Sequence, residues 1–240
     1  MRNVSYPRAS ANRVTTAAGA TLPGVLALAK REPSALLLAA QLLAVLLYPF
    51  MIDNDVGRSL FSVFGIAILG LVVLAVRSTP GLNGVTILLG IPACVLLLIQ
   101  AITQSDALLP YSSAFEAALY FYAAGAMIAY MLEDQRVTRD ELFAIGATFT
   151  LLAWAFAYTY TVCQAIDPGS FTAAVDASAD RNWMELLFLS FTTLSSTGLG
   201  DIVPVKPFAR GLVMFEMIAG VSYLTILVSR LVALTVISQR

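Results

Sequence analysis

The stretch SSTGLGDIVP at 195–204 combines small hydroxylated residues, two glycines and an aspartate between two apolar segments. Gly198 and Gly200 permit left-handed backbone conformations that other residues resist. Backbone that alternates between left- and right-handed residues points successive carbonyl oxygens in one direction, and stacked rings of such oxygens can replace the water shell of a cation. The ligand at Leu199 would be its carbonyl, so its side chain need not touch the ion. Ser196 could add a hydroxyl oxygen at the inner end.

The segments on either side of this stretch must position it. Residues 183–194 are apolar but cover only about three helical turns, too few to cross a hydrocarbon core of ~30 Å. A short apolar helix followed by glycines predicts a re-entrant element, because irregular backbone at membrane depth is tolerated only inside protein or along a water-filled pathway. Residues 208–237 follow as a long apolar segment that contains Glu216 and Arg230.

The composition of the whole chain predicts an integral membrane protein. Hydrophobic residues make up 59% of the 240 residues and charged residues only 12%, about half the charge of a soluble domain. Besides 208–237, five stretches are long and apolar enough to span a membrane, namely 34–52, 59–76, 82–102, 112–132 and 142–166. The predicted fold class is therefore an all-α membrane protein with six transmembrane helices and one re-entrant helix.

The loop at 133–141 divides the predicted chain into two membrane parts. We assign residues 1–33 to a cytoplasmic N-terminal segment, 34–132 to a four-helix domain and 142–240 to a pore domain. The pore domain comprises an outer helix, a pore helix, a filter and an inner helix, at 142–166, 182–194, 196–201 and 208–237. Segment 112–132 contains no lysine or arginine, whereas a voltage sensor needs several. Strong voltage gating is therefore not expected.

The loop charges predict the orientation of the chain. With a cytoplasmic N-terminus, ten basic residues lie on the inner side and four on the outer side, which satisfies the positive-inside rule. The inner set is Arg2, Arg8, Arg13, Lys30, Arg31, Arg77, Arg136, Arg139, Arg230 and Arg240, and the outer set is Arg58, Arg181, Lys206 and Arg210. We expect both termini in the cytoplasm and the stretch 195–204 open to the outside.

Composition also disfavours several other classes of protein. A net charge of -1 without a basic tail gives no indication of nucleic-acid binding. The chain has no histidine, and Cys94 and Cys163 lie in apolar runs without metal-ligand spacing, so neither a cofactor nor an enzyme site is predicted. A transporter with a re-entrant loop is an alternative. Transporters usually carry paired broken helices, and this chain has one such segment.

The sequence TTLSSTGLGDIVP resembles the pore loop and selectivity filter of the tetrameric potassium channels, usually written T-x-G-Y-G-D. The resemblance extends over 183–233 and is to the bacterial two-transmembrane pore module. It implies a fourfold-symmetric homotetramer with the architecture of voltage-gated channels. The function implied is passive conduction of potassium across the plasma membrane of a bacterium. The expected partners are other copies of the chain, lipids and monovalent cations, with permeant K⁺ ions in place of a cofactor.

The resemblance also implies a role for individual residues. The K⁺ ligands would come from Ser196, Thr197, Gly198 and Leu199, and Gly200 would close the outer end of the filter. The residues implied to support the filter are Asp201 behind the outer mouth and Thr192, Phe188 and Leu189 on the pore helix. The position of Glu216, one turn before Gly220 on the inner helix, adds it to this set independently of the resemblance. Gly220 falls where the family often has a hinge glycine.

The filter departs from the family pattern at several positions. Ser196 replaces a threonine, Thr197 a valine, and Leu199 a tyrosine whose hydroxyl often bonds to pore-helix aromatics. An apolar contact of Leu199 with Phe188 or Leu189 could stand in for that bond. The acid that some relatives place behind the filter falls at Thr192, which has no charge. These departures predict a less tightly braced filter, and a weakly selective sodium/potassium channel on the same scaffold stays open as an alternative.

Several side chains outside the filter also carry expectations. Glu216 is expected to bond to the pore helix, with an effect on the electrostatic potential of the pore as the alternative. Glu185 is expected to favour the start of that helix. Glu116 is expected to have a hydrated structural role near a membrane boundary, with a functional role as the alternative. Ser222 and Tyr223 are expected to pack between helices, with exposure to the pore cavity as the alternative. The aromatic set of Trp154, Phe156, Tyr158 and Tyr160 is expected to face lipid and neighbouring helices.

Overall fold

A computed structural model of the chain describes residues 32–51, 64–73, 83–103, 106–133 and 138–238. These residues form seven α-helices, one turn of 3₁₀ helix at Asp106–Leu108 and a two-stranded sheet. The helices are α1 Pro33–Met51, α2 Phe64–Val73, α3 Asn83–Thr103, α4 Leu109–Glu133, α5 Arg139–Ile166, α6 Trp183–Leu194 and α7 Pro207–Ser238. The strands are β1 Phe171–Ala173 and β2 Ile202–Pro204.

Five of the described helices, α1, α3, α4, α5 and α7, are long and apolar enough to cross a membrane. The described part of the predicted span 59–76 is the helix α2, and the ends of that span lie outside the described residues. Residues 1–31 of the predicted N-terminal segment lie outside them as well. The sixth transmembrane helix therefore stays a prediction.

The outer helix α5 begins three residues before the predicted boundary at 142. The side chain of Thr138 accepts a hydrogen bond from the backbone N–H of Glu141, which caps the helix. Asp140 and Glu141 occupy the first turn, where the partly positive end of a helix favours acids. A prediction from hydropathy alone leaves these charged residues out of the span, although they belong to the helix.

Helix α5 lies at the centre of the chain and packs against α1, α4, α6 and α7. Trp154 and Tyr160 on this helix are 2% and 0% exposed. The ring of Trp154 meets Tyr120 of α4 edge to face at 5.8 Å between centroids, and Trp183 of α6 at 5.3 Å. Of the two surroundings expected for this aromatic set, lipid and neighbouring helices, these two side chains have neighbouring helices.

A hydrogen-bonded cap joins the start of α1 to the start of α5. The backbone N–H and the hydroxyl of Ser34 donate to the two carboxylate oxygens of Asp140, at 3.0 and 2.9 Å. The N-termini of α1 and α5 therefore lie on the same side of the molecule. In this arrangement α1 and α4 of the predicted four-helix domain pack directly on the outer helix of the predicted pore domain.

Candidate functional site

The short helix α6 has a closed cap at its N-terminus. The side chain of Asn182 accepts from the backbone N–H of Glu185 at 3.0 Å, and the Glu185 carboxylate accepts from the backbone N–H of Asn182 at 2.7 Å. This reciprocal pair is a capping box. Glu185 also pairs with Arg181 at 3.0 Å. The prediction that Glu185 favours the start of this helix is confirmed, and the cap fixes the beginning of a helix of 12 residues.

The loop that follows α6 alternates in backbone handedness. Ser196, Gly198 and Gly200 have φ angles of 60°, 59° and 74°, whereas Thr197 and Leu199 between them do not have positive φ. The expectation of left-handed backbone at the two glycines is confirmed. Left-handed backbone at Ser196 was not predicted, because serine resists that conformation. The loop thus has the alternation that can align successive carbonyl oxygens.

The C-terminal end of α6 holds this loop through backbone hydrogen bonds. The carbonyl oxygen of Thr192 accepts from the backbone N–H of Thr197 at 2.8 Å and of Gly198 at 3.0 Å. The hydroxyl of Thr192 donates to the Leu189 carbonyl of its own helix at 2.9 Å. Thr192 therefore supports the loop with its main chain at a position where no acidic side chain is present.

The outer end of the loop is hydrogen-bonded to the segment that follows α5. Strands β1 and β2 pair antiparallel, with Phe171 opposite Pro204. The backbone N–H of Ala174 donates to the Asp201 carbonyl at 3.2 Å, and that of Val205 donates to the Ser170 carbonyl at 2.9 Å. This sheet was not predicted, because strands of three residues leave too short a pattern in the sequence. It anchors the loop at the end opposite to α6.

The predicted filter and support residues differ widely in their exposure within one chain. Residues 195–201 are all exposed, and the side chain of Leu199 is 64% exposed. Phe188 is 38% exposed, whereas Leu189 is 5% exposed and belongs to the core. The apolar contact of Leu199 with Phe188 or Leu189 stays a prediction, as does the role of Asp201 behind the outer mouth.

A buried carboxylate on α7 lies directly behind α6. Glu216 is 0% exposed. One of its oxygens accepts from the hydroxyl of Ser190 on α6, and the other accepts from the hydroxyl of Tyr160 on α5. The prediction that Glu216 bonds to the pore helix is confirmed. Tyr160 was missed as its second partner, because nothing in the sequence turns this tyrosine toward α7.

Helix α7 passes very close to the end of α6 at Gly220. A Cβ atom built on Gly220 would lie 2.2 Å from the carbonyl oxygen of Leu194. The position therefore requires glycine for close packing of two helices. The hinge role implied for Gly220 stays a prediction.

A sequence model of a family described as an ion channel matches residues 117–236, which is 120 of 240 residues and therefore half of the chain. The chain belongs to this ion-channel family. The match begins within α4 and takes in α5, α6, both strands and α7 up to residue 236. No curated protein and no solved structure matches the chain. Together with its apolar helices, the family match identifies an integral membrane protein that acts as a passive ion channel.

Two of the remaining expectations for this channel are wrong within a single chain. Glu116 is only 2% exposed and shares a hydrogen bond with Tyr158 of α5, so it is not hydrated. The reason is that α4 packs this face against α5. Tyr223 packs as expected, with its hydroxyl donating to the Ile145 carbonyl at 2.6 Å. Ser222, in contrast, is exposed and borders a cavity of about 200 Å³ between α4, α5 and α7.

Proposed function

We propose that this channel is a homotetramer that conducts K⁺ passively and selectively. In this proposal the ions bind oxygens of Ser196, Thr197, Gly198 and Leu199, and Gly200 closes the outer end. The observation that carries the proposal is the alternating sign of φ through 196–200, directly after a short capped helix. A segment of alternating handedness can present a column of carbonyl oxygens that replaces the hydration shell of a cation.

The proposal requires four chains around one axis. Each chain supplies one loop, and a closed symmetric ring is the arrangement that completes an oxygen cage from identical loops. The exposure of residues 195–201 in one chain is consistent with a loop that faces such an axis. Helix α7 also exposes a row of large apolar side chains for neighbouring copies or lipid, among them Met214, Phe215, Ile218 and Val221.

The electrostatics of α6 favour a cation at the inner side of the loop. The C-terminal end of a helix carries a partial negative charge, and α6 ends at Leu194, just before the proposed ligands. Conduction by knock-on between adjacent sites would need neither ATP nor a cofactor. We further propose that the outer mouth of the pore faces the exterior of a bacterial plasma membrane, with both termini in the cytoplasm.

The reversal potential tests the proposal most directly. Purified protein is placed in a planar bilayer with potassium on one side and sodium on the other. We expect reversal near the potassium equilibrium value. Reversal near zero with robust current would indicate the weakly selective channel, and protein that is tetrameric but passes no cation current would refute the proposal.

Leu199 is the residue through which the weakly selective alternative can be examined. Its apolar side chain is 64% exposed and cannot make the bond that a tyrosine makes in many potassium filters. If the wild type is weakly selective, we expect Leu199→Tyr to raise the permeability ratio for K⁺ over Na⁺ by about fivefold, the worth of one ordinary hydrogen bond. Leu199→Phe, which adds the ring without the hydroxyl, is the matched control and should not raise it.

A further inference from the structure

The carboxylate of Glu216 joins three helices at one buried point. Ser190 on α6, Tyr160 on α5 and Glu216 on α7 are each 0% exposed. Each carboxylate oxygen accepts one hydroxyl hydrogen, and each hydroxyl comes from a different helix. An acid that is buried without hydrogen-bond partners is costly, and here both oxygens of the acid have a partner. The three side chains therefore fix the position of α6 between its two neighbours.

A second close contact lies one helical turn further along both helices. Gly220 follows Glu216 by four residues, and Leu194 follows Ser190 by four residues. The backbone of α7 at Gly220 approaches the Leu194 carbonyl so closely that no side chain fits. Helix α6 is thus held against α7 at two successive turns, once by hydrogen bonding and once by backbone packing.

Backbone hydrogen bonds couple the position of α6 directly to that of the loop that follows it. Thr192, two residues after Ser190, accepts from the backbone N–H groups of Thr197 and Gly198. The backbone N–H of Ser196 donates to the Thr193 carbonyl at 3.0 Å. A shift or rotation of α6 would therefore move the main chain of residues 196–198 with few intervening atoms.

We infer that Glu216 is a positioning residue that sets the ion selectivity of this loop. It fixes the position and rotation of α6 through Ser190 and Tyr160, and it braces the filter from the back where Thr192 provides no acid. The inference rests on the proposed function, since it assumes that residues 196–199 bind K⁺. It assigns to a buried inner-helix carboxylate the control of how strictly the filter rejects Na⁺.

The test compares permeability ratios for K⁺ over Na⁺ in bilayers containing full-length protein. The variants are Ser190→Ala, Tyr160→Phe, their double variant and Glu216→Gln. We expect each single hydroxyl deletion to lower the ratio by about fivefold, the worth of one ordinary hydrogen bond. The decrease in the permeability ratio of the double variant should be smaller than the product of the two single decreases, because both hydroxyls act through one carboxylate.

Tyr223→Phe is the matched control. It also removes a buried tyrosine hydroxyl between α7 and α5, but that hydroxyl bonds to Ile145 and not to α6. Its permeability ratio should equal that of the wild type. If Tyr223→Phe lowers the ratio as much as Tyr160→Phe, the effect is general loosening and the inference is wrong.

The remaining outcomes separate the inference from the proposed function. Wild-type ratios in tetrameric Ser190→Ala and Tyr160→Phe would overturn the inference and leave the proposed function intact. A wild type without K⁺ current, or without discrimination against Na⁺, would overturn the proposed selectivity and the inference with it. If Glu216→Gln does not assemble, the two hydroxyl deletions, which leave the carboxylate in place, decide the question.

Discussion

Ser196, Gly198 and Gly200 share left-handed backbone, although only two of them are glycine. For an L-residue with a side chain this conformation costs roughly 1–2 kcal/mol. The hydrogen bond from Ser196 to Thr193, and those from Thr197 and Gly198 to Thr192, hold the main chain in place. Strained backbone of this kind persists where the surroundings determine it, and it is common at functional sites.

At Gly198 a single methyl group should be enough to stop conduction. The φ of 59° disfavours any side chain, so Gly198→Ala should distort the loop. If the proposed function holds, potassium efflux from loaded vesicles should then be lost. Gly125→Ala is the control, because a Cβ on Gly125 of α4 meets nothing within 4 Å. Normal efflux from tetrameric Gly198→Ala would show that the loop does not depend on this conformation.

The contact between the helices α6 and α7 should be sensitive to any side chain at Gly220. Gly220→Ala places a Cβ 2.2 Å from the Leu194 carbonyl oxygen, so the helices must separate. We expect a loss of about 1–3 kcal/mol in the free energy of unfolding, as for other overpacked cores. The melting temperature of the purified protein measures it.

The same helix contains the matched control for this substitution. A Cβ on Gly211 of α7 meets nothing within 4 Å, so Gly211→Ala should leave the melting temperature close to that of the wild type. Equal melting temperatures for both variants would show that the close approach at Gly220 is relieved at no cost.

The segment between β1 and α6 is organised by one buried cation. Arg181 is 5% exposed and pairs with Glu185 at 3.0 Å. Its guanidinium also donates to the backbone carbonyl oxygens of Val175, Asp176 and Ala179. From the sequence, Arg181 was predicted only as one of the outer basic residues. Its burial was not predicted, because the carbonyl oxygens that surround it converge only when the segment folds back.

Arg181→Lys should loosen this segment while keeping its charge. A lysine ammonium cannot reproduce the planar set of donors that a guanidinium offers. We therefore expect residues 174–180 to be cleaved more rapidly by a protease added to the purified protein. Arg210→Lys is the control, since Arg210 makes one side-chain bond, to Pro204, at an exposed site. Unchanged cleavage of Arg181→Lys would mean that the other contacts suffice.

At the scale of the whole molecule, the described helix that precedes the outer helix α5 carries no basic residue. The described helix α4, Leu109–Glu133, contains no lysine or arginine, and its buried acid Glu116 is hydrogen-bonded to α5. One elementary charge moving through the membrane field changes an equilibrium by about 2.3 kcal/mol per 100 mV. A channel without such charges should respond to voltage weakly.

We therefore expect open probability to change by less than about fiftyfold per 100 mV, the effect of one gating charge. Single-channel recording at a series of voltages measures it. A steeper dependence would mean that charges outside α4 move through the field, and the pair of Arg230 and Glu141, 3.7 Å apart between α7 and α5, would be the first to neutralise.

Hydropathy and glycine spacing determined much of the fold of this protein from the sequence. The predicted spans for α1, α3, α4, α5 and α7 begin and end within three residues of the observed helices. The short helix α6 and the left-handed glycines were also predicted. These features are local: a run of apolar residues must be buried in lipid or protein, and glycine adopts positive φ more readily than other residues wherever the chain goes.

Only the tertiary structure decided how these elements support the loop. Tyr160 meets Glu216 across 56 positions of the chain, Ser34 meets Asp140 across 106, and β1 pairs with β2 across the length of α6. None of these pairs can be read from a periodic pattern in the sequence. A hydrogen bond between helices depends on the rotation and axial position of each helix, and packing sets both. The sequence therefore determined the helix and the left-handed glycines of the proposed cation site, and the fold decided what holds that segment in place.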